Sequence, residues 1–292
     1  MPPEANPPWI GSIRRRTFMS ETVFTFPGKA GDAVLQFPVA YQWHRKTGKN
    51  FTCWLDEKTC KIVAPLFEAQ PCVNRVEFME GVEHHHWGGQ PWDFALPAEA
   101  YSGREVHHLG PRAFPQRQIT LETLENIKLP FEIDREALAS EPCISVDREP
   151  ANRVVLHGQP VCIHNGQTPQ FWSFLHAISP WLESNFDEIV WVGDARDREM
   201  GARTYPGWKC FDDHGSALEL ARLIARSRLM IGCGSFPVTV GGALKIPTVR
   251  VHDPIGNHPK VIWNNLGDNQ LNDSEMELRT AWPEFRDRFL VK

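Results

Sequence analysis

The chain has 292 residues, 41% of them hydrophobic and 23% charged, with a net charge of −5. That excludes a wholly disordered chain and supplies apolar material for two α/β domains of about 150 residues each. The acidic balance argues against a general DNA or RNA binder, which would carry a basic face, and leaves room only for a local basic groove.

Residues 1–20 hold Pro2, Pro3, Pro7 and Pro8, then Arg14-Arg15-Arg16 with no apolar segment after them. They read as a flexible leader rather than a signal peptide, with Met19 standing where a second start would fit. A strand is expected over 22–26, rich in β-branched and aromatic residues and closed by Pro27-Gly28. The loop 28–32 leads into a helix over 33–46, where Val34, Leu35, Val39 and Trp43 give apolar spacing and Gly48 gives the stop. A strand at 51–55, a short helix ending near Phe67 and a strand at 73–78 complete the rhythm of a doubly wound parallel sheet. Residues 83–149 are rich in Pro, His and aromatics and show no long periodicity, with a helical stretch only at 122–127. Residues 148–153 read as a linker.

The second half repeats the rhythm. Strands are expected at 154–157 and 161–164, a helix at 171–182, and a strand at 188–192 ending in Gly193. A helix at 216–226 carries Leu220, Leu223 and Ile224 on one face. A strand at 229–232, a helix at 237–244, a strand at 246–251 and a surface helix at 274–289 follow. The chain thus divides into a leader (1–20), an N-terminal Rossmann-like domain (21–150), a C-terminal Rossmann-like domain (151–273) and a C-terminal helix (274–292). Two such domains face a cleft, and ligands bind beyond the carboxyl ends of the strands. The seven cysteines are scattered, odd in number and without a CxxC pair, the usage of reduced, buried thiols in a cytoplasmic protein. No apolar run of about 18 residues marks a transmembrane helix.

Three loops at strand ends can carry chemistry. Gly232-Cys233-Gly234-Ser235 leaves a buried strand and opens a helix. It suits a pyrophosphate on free N–H groups, or it is a tight turn with Ser235 as the cap. His164-Asn165-Gly166-Gln167-Thr168 offers polar donors and a flexible glycine, or an ordinary loop capped by Thr168. Gly31-Asp32 places a carboxylate at a helix start, either as a cap or as a general base that takes a proton from an acceptor hydroxyl. The runs His84-His85-His86 and His107-His108 do not read as metal sites, because adjacent residues of an extended chain point to opposite faces.

Together these loops resemble the ADP-heptose:lipopolysaccharide heptosyltransferase family. The longest similarity runs from Leu218 through Gly232 and Ser235 to Pro237, Gly242-Ala243-Leu244 and Ile246-Pro247-Thr248-Val249. The segment Phe26-Pro27-Gly28-Lys29-Ala30-Gly31-Asp32-Ala33-Val34-Leu35, with Pro38 beyond it, is similar to the family's opening motif. Ile163-His164, Gly166, Thr168 and Trp172 echo its first donor-domain loop. Val190 to Gly193, with Asp197-Arg198-Glu199, echoes the next strand and helix. The resemblance spans most of the chain apart from 80–150.

It implies a GT-B fold and an inverting glycosyltransferase with a nucleotide-sugar donor and no required metal or other cofactor. The N-terminal domain would bind the acceptor: a lipid-linked saccharide, another glycan, a protein or a modified nucleic-acid base. Asp32 would be the catalytic base. Lys29, Gly31, His164, Gly166, Thr168, Gly193, Gly232, Gly234 and Ser235 would form the donor site, with Thr168 and Ser235 on the phosphates. Where the family carries Asn-Asp-Ser-Gly-Pro-Met-His, this chain has Cys233-Gly234-Ser235-Phe236-Pro237-Val238-Thr239, and the lysine before the tryptophan is missing. These departures argue against ADP-heptose as the donor and place Lys29 to supply the lost charge. They also keep two other readings open, a nucleotide-sugar-binding protein without catalysis and a GT-B sugar-nucleotide epimerase.

Overall fold

In a computed structural model, which describes residues 21–26, 28–79, 102–109, 132, 134, 137, 141–158, 167–212, 215–233, 235–251, 283, 286 and 287, the chain builds two parallel sheets. The first holds β1 (Glu21–Phe26), β2 (Phe51–Asp56), β3 (Val73–Met79) and β4 (Arg104–His108) in the order β3-β2-β1-β4. The second holds β5 (Arg153–His157), β6 (Glu188–Trp191), β7 (Lys209–Cys210), β8 (Leu229–Cys233) and β9 (Thr248–Val251) in the order β7-β6-β5-β8-β9. Every neighbouring pair is parallel, and parallel neighbours require crossover connections.

In the first sheet α1 (Ala30–Thr47) joins β1 to β2, and α2 (Glu57–Cys60), a 3-10 turn (Lys61–Val63) and α3 (Ala64–Glu68) join β2 to β3. In the second, α4 (Gln167–Asn185), α5 (Ala195–Thr204), α6 (Ala217–Ala225) and α7 (Phe236–Ala243) join successive strands from β5 to β9. Each sheet reverses its direction of growth once, between β1 and β4 and between β5 and β8. The doubly wound α/β class expected from the sequence is the class found.

The differences have local causes. The first helix starts at Ala30, three residues before the sequence reading, and keeps Pro38 inside; Gly48 ends it at φ 67° with its N–H on the His44 carbonyl. β4 lies in the stretch read as irregular. Its residues Arg104-Glu105-Val106-His107-His108 hold one aliphatic side chain, so no apolar alternation announces it. Pairing along β1, from Glu21↔Arg104 to Thr25↔His108, recruits it. Arg104 binds Glu21 at 3.0 Å and Glu77 at 2.9 Å and lies over the Trp54 ring. β7 has two residues, too few to show a period. The expected strand at 161–164, the helix at 122–127 and the leader fall outside the described residues, as does the tail helix except for Pro283, Arg286 and Asp287, which are helical.

Both faces of the second sheet are covered, as a parallel sheet requires. Val154 and Leu156 of β5 point into a cluster with Phe171, Phe174, Leu175 and Trp191. Val155, with Val190 and Met230, points into a second cluster that continues through α6 and α7 into Phe24, Phe26, Phe37 and Leu55 of the first sheet. α1 packs on α7, and α3 on α6. The segment before β5 joins them further: Cys143 donates its N–H to Ala243 at 3.2 Å, and Arg148 reaches the Leu244 carbonyl at 2.5 Å. One apolar core therefore fixes the two sheets to each other. Five of the six described cysteines are buried, and among the described residues none is joined in a disulfide. Among the described residues no helix is long and apolar enough to cross a membrane.

Trp191 is fully buried, and Gly201 of α5 lies against its ring. On an exposed helix face Gly→Ala would stabilise by about 1 kcal/mol. Here a Cβ would stand 2.5–2.6 Å from three atoms of the indole. Gly201→Ala is therefore expected to destabilise by about 1–3 kcal/mol, measured by urea denaturation; a variant as stable as the unaltered chain would refute this packing.

Candidate active site at the strand ends

The carboxyl end of β1 passes into α1 through Gly28, at φ 107°. A Cβ there would stand 2.6 Å from both Cβ and Oδ2 of Asp32, so only glycine leaves room for this carboxylate. The Gly28 carbonyl accepts from Thr59 Oγ1 at 2.8 Å and from Cys60 Sγ at 3.2 Å, which holds the turn. Lys29, exposed and extended, is the N-cap position. Asp32 stands three residues on, and its Oδ2 accepts from the Lys29 N–H at 2.8 Å. Asp32 is thus not the N-cap, as one sequence reading had it; it reaches back to satisfy an orphan donor from inside the first turn. Burial pushes its pKa up, and the Lys29 N–H and ammonium offset only part of this. A half-buried carboxylate with raised basicity is suited to general-base work. Burial pushes Cys60 to about 12, which keeps the neighbouring thiol neutral and unreactive.

The second sheet repeats the device. Gly193 follows β6 at φ 132°, and a Cβ there would stand 2.6 Å from Asp197 Oδ2. Asp194 is the N-cap of α5, accepting from the Asp197 N–H at 2.9 Å, and Asp197 takes the same third helical position that Asp32 takes in α1. Asp197 is buried; burial, and then the nearby Asp194 charge, push its pKa to about 7. Among the described residues its Oδ1 has no hydrogen-bond partner.

His157 ends β5 and is buried between this loop and the next. Burial pushes its pKa down to about 4, so the ring is neutral. Its Nδ1 lies 2.8 Å from Ser235 Oγ, and its Nε2 faces Asp197 Oδ2 at 3.6 Å. Ser235 occupies the N-cap position of α7, yet its side chain makes no cap hydrogen bond. It turns instead to His157 and donates to the Cys233 carbonyl at 3.1 Å. Gly232 permits this approach, since a Cβ there would stand 2.8 Å from the His157 carbonyl oxygen. The His157–Ser235 bond spans β5 and β8, where the second sheet reverses its strand order and ligands of such sheets bind.

The two halves meet at this end. A Cβ on Gly31, in the first turn of α1, would touch Phe236 Cα at 3.6 Å and Thr239 Oγ1 at 3.8 Å in the first turns of α7. Lys29, Gly193 and Ser235 thus lie in strand-end loops, Gly31 and Asp32 in the first turn of α1 and Gly232 near the end of β8, and the amino ends of α1 and α7 adjoin. Thr168 is in the first turn of α4. His164, Gly166 and Gly234 lie outside the described residues, as do His84, His85 and His86. Sequence reading passed over His157 and did not place Asp197 in the site. The available signals were a histidine closing an apolar strand and the repeated spacing of Gly28 to Asp32 and Gly193 to Asp197.

No protein-family model and no curated protein sequence matches the chain. Solved structures do. E. coli heptosyltransferase WaaC with ADP-2-deoxy-2-fluoro heptose is 14% identical, with a TM-score of 0.55, over 92% of this chain and 98% of its own. E. coli ADP-heptose lps heptosyltransferase II is 13% identical, with a TM-score of 0.54, over 92% of this chain and 97% of its own. A glycosyl transferase family 9 structure from Veillonella parvula is 14% identical, with a TM-score of 0.54, over 91% and 89%. At these identities the likeness is one of fold: the two-domain GT-B arrangement expected from the sequence.

The buried pair titrates in opposite senses. The folded pKa of Asp197 lies above its unfolded value, so its contribution is full below about pH 4 and is lost as pH rises through about 7. The folded pKa of His157 is depressed to about 4, so its contribution is lost as pH falls from about 6.5 towards that value. Asp197→Asn removes only the first. Its stability relative to the unaltered chain is expected to rise by roughly 2–3 kcal/mol between pH 5 and pH 8. Urea denaturation at the two values checks this, and a constant difference would refute the raised carboxyl.

Proposed function

We propose that the chain is an inverting glycosyltransferase that moves a sugar from a nucleotide-sugar donor to an acceptor hydroxyl. The observation that carries this is the meeting of Gly31, one residue before Asp32, with Phe236, one residue after Ser235. A raised carboxylate from one domain thereby adjoins a helix amino end from the other. The fold likeness to heptosyltransferases, one of them with ADP-2-deoxy-2-fluoro heptose, supports the same reading.

Asp32 takes the proton of the acceptor hydroxyl as that oxygen attacks the anomeric carbon. The bond from that carbon to the donor's diphosphate oxygen breaks on the opposite face, which inverts the configuration. The departing diphosphate lies at the amino end of α7, where Ser235 and backbone N–H groups meet its developing charge. Lys29 adds a cation beside the site, and the reading calls on no metal ion. The acceptor binds on the N-terminal side, as a glycan, a lipid-linked saccharide, a protein or a modified nucleic-acid base. The donor loop at 233–239 lacks the acid of the heptosyltransferase run, which argues against ADP-heptose as the donor. The scattered cysteine usage of the sequence, without a CxxC pair, places this activity in the cytoplasm.

A thermal-shift screen against ADP, UDP, GDP, CMP and their sugar conjugates identifies the donor. A ligand at about 100-fold excess over its Kd stabilises by about 2.7 kcal/mol. With that donor, Asp32→Asn is expected to lower turnover by about 10²–10⁴-fold while the donor Kd changes little. Full turnover in Asp32→Asn would remove Asp32 as base. Conversion of donor without acceptor would identify an epimerase, and donor binding without turnover would identify a binding protein.

A further inference from the structure

We propose that Asp197 and His157 form a proton relay that sets the direction of the Ser235 hydroxyl, and thereby whether the amino end of α7 receives a diphosphate; this rests on the donor site proposed above.

The four groups stand in line. Asp197 Oδ2 faces His157 Nε2 at 3.6 Å, His157 Nδ1 lies 2.8 Å from Ser235 Oγ, and Ser235 Oγ lies 3.1 Å from the Cys233 carbonyl. Asp197 and His157 are both buried, and Asp197 Oδ1 has no hydrogen-bond partner among the described residues. A neutral imidazole has one donor and one acceptor, and a hydroxyl has one proton, so the line has two self-consistent arrangements. With Asp197 protonated, its O–H turns to Nε2, and Nδ1–H donates to Ser235 Oγ. The Ser235 proton is then free for the Cys233 carbonyl or for a phosphate oxygen. With Asp197 ionised, Nε2–H faces the carboxylate, and Nδ1 accepts the Ser235 proton. Ser235 then presents only lone pairs, which repel a phosphate oxygen. The two arrangements differ by one proton, released to solvent.

Burial makes Asp197 the group that titrates, at about 7, while His157 stays neutral down to about 4. The charges acting on Asp197 are Asp194, Arg196 and Arg198 of its own loop and helix, and Arg198 also pairs with Asp212 at 3.1 Å. Asp194 also acts on His157. β8 contributes the buried Cys233, and α1, packed on α7, brings Lys29 and Asp32 to the same end. The relay makes His157 and Asp197 positioning residues, with Ser235 as the group that touches ligand.

Long-range 1H–15N NMR of the full chain reads the tautomer directly, with the His157 signals assigned through His157→Gln. The expected result is Nδ1–H at pH 6 and Nε2–H at pH 8.5 in the unaltered chain. Asp197→Asn, whose amide donates to Nε2 at every pH, holds Nδ1–H throughout. One tautomer at both pH values in the unaltered chain would overturn the relay. Calorimetry with inorganic pyrophosphate, ADP, UDP and GDP supplies the second arm. The affinity ratio of Asp197→Asn to the unaltered chain cancels the ligand's own titration. It is expected to rise about tenfold between pH 6 and 8, the worth of one charge-assisted hydrogen bond, with Ser235→Ala weak at both. Binding with a constant ratio overturns the relay and leaves the donor site standing. A tautomer switch with no binding of any of the four keeps the relay and overturns the donor-site reading.

Discussion

Two glycines with no room for a side chain organise the working end of the molecule. Gly28 and Gly193 each leave a strand at positive φ, and each leaves vacant the space that an aspartate one helical turn later fills. The consequences run in order. The chain turns sharply off the sheet, the helix begins at once, and the carboxylate is drawn beneath the loop. There it meets the N–H of the cap residue and loses water. Loss of water raises its pKa, to about 7 at Asp197, and so makes a capping residue a stronger base. The same construction ends differently in the two halves. Asp32 stays half-exposed beside a lysine, whereas Asp197 is closed in against a neutral imidazole.

The continuous apolar core gives that construction its precision. Phe24, Phe26 and Phe37 belong to one cluster with Leu220, Ile224 and Val240. The distance from Asp32 to the amino end of α7 is therefore set by packed rings and aliphatic chains rather than by a linker. Misplacement of reacting groups by about 1 Å costs catalysis on the order of 10²-fold. A cleft whose two walls share a core has little freedom to misplace them.

Much of this was legible in the sequence, and what was not has physical reasons. Glycine loops between apolar runs gave the strand ends, the α/β rhythm and the interest of Asp32 and Ser235. β4 was hidden because its side chains serve ion pairs and a ring contact at Arg104, not burial, so it carries no apolar alternation. His157 was hidden because its partner in the bond to Ser235 is 78 residues away, beyond three crossovers. Spacing along a chain says nothing of such a pair until the strand order is known. Gly193 was read as the end of a strand and proves also to be the space that admits Asp197. His164, Gly166 and Gly234, also taken from the loops, lie outside the described residues.

The meeting of α1 and α7 has an electrostatic consequence. Each helix carries roughly half a positive elementary charge at its amino end, and the contact of Gly31 with Phe236 sets these two ends side by side. Like partial charges held together by packing are a frustrated joint. An anion at that point is attracted by both ends and removes their repulsion. It is then a counter-ion of the architecture as well as a ligand, and by linkage its occupancy strengthens the docking of the two domains. Anion occupancy and the tightness of that joint are then one equilibrium seen from two sides.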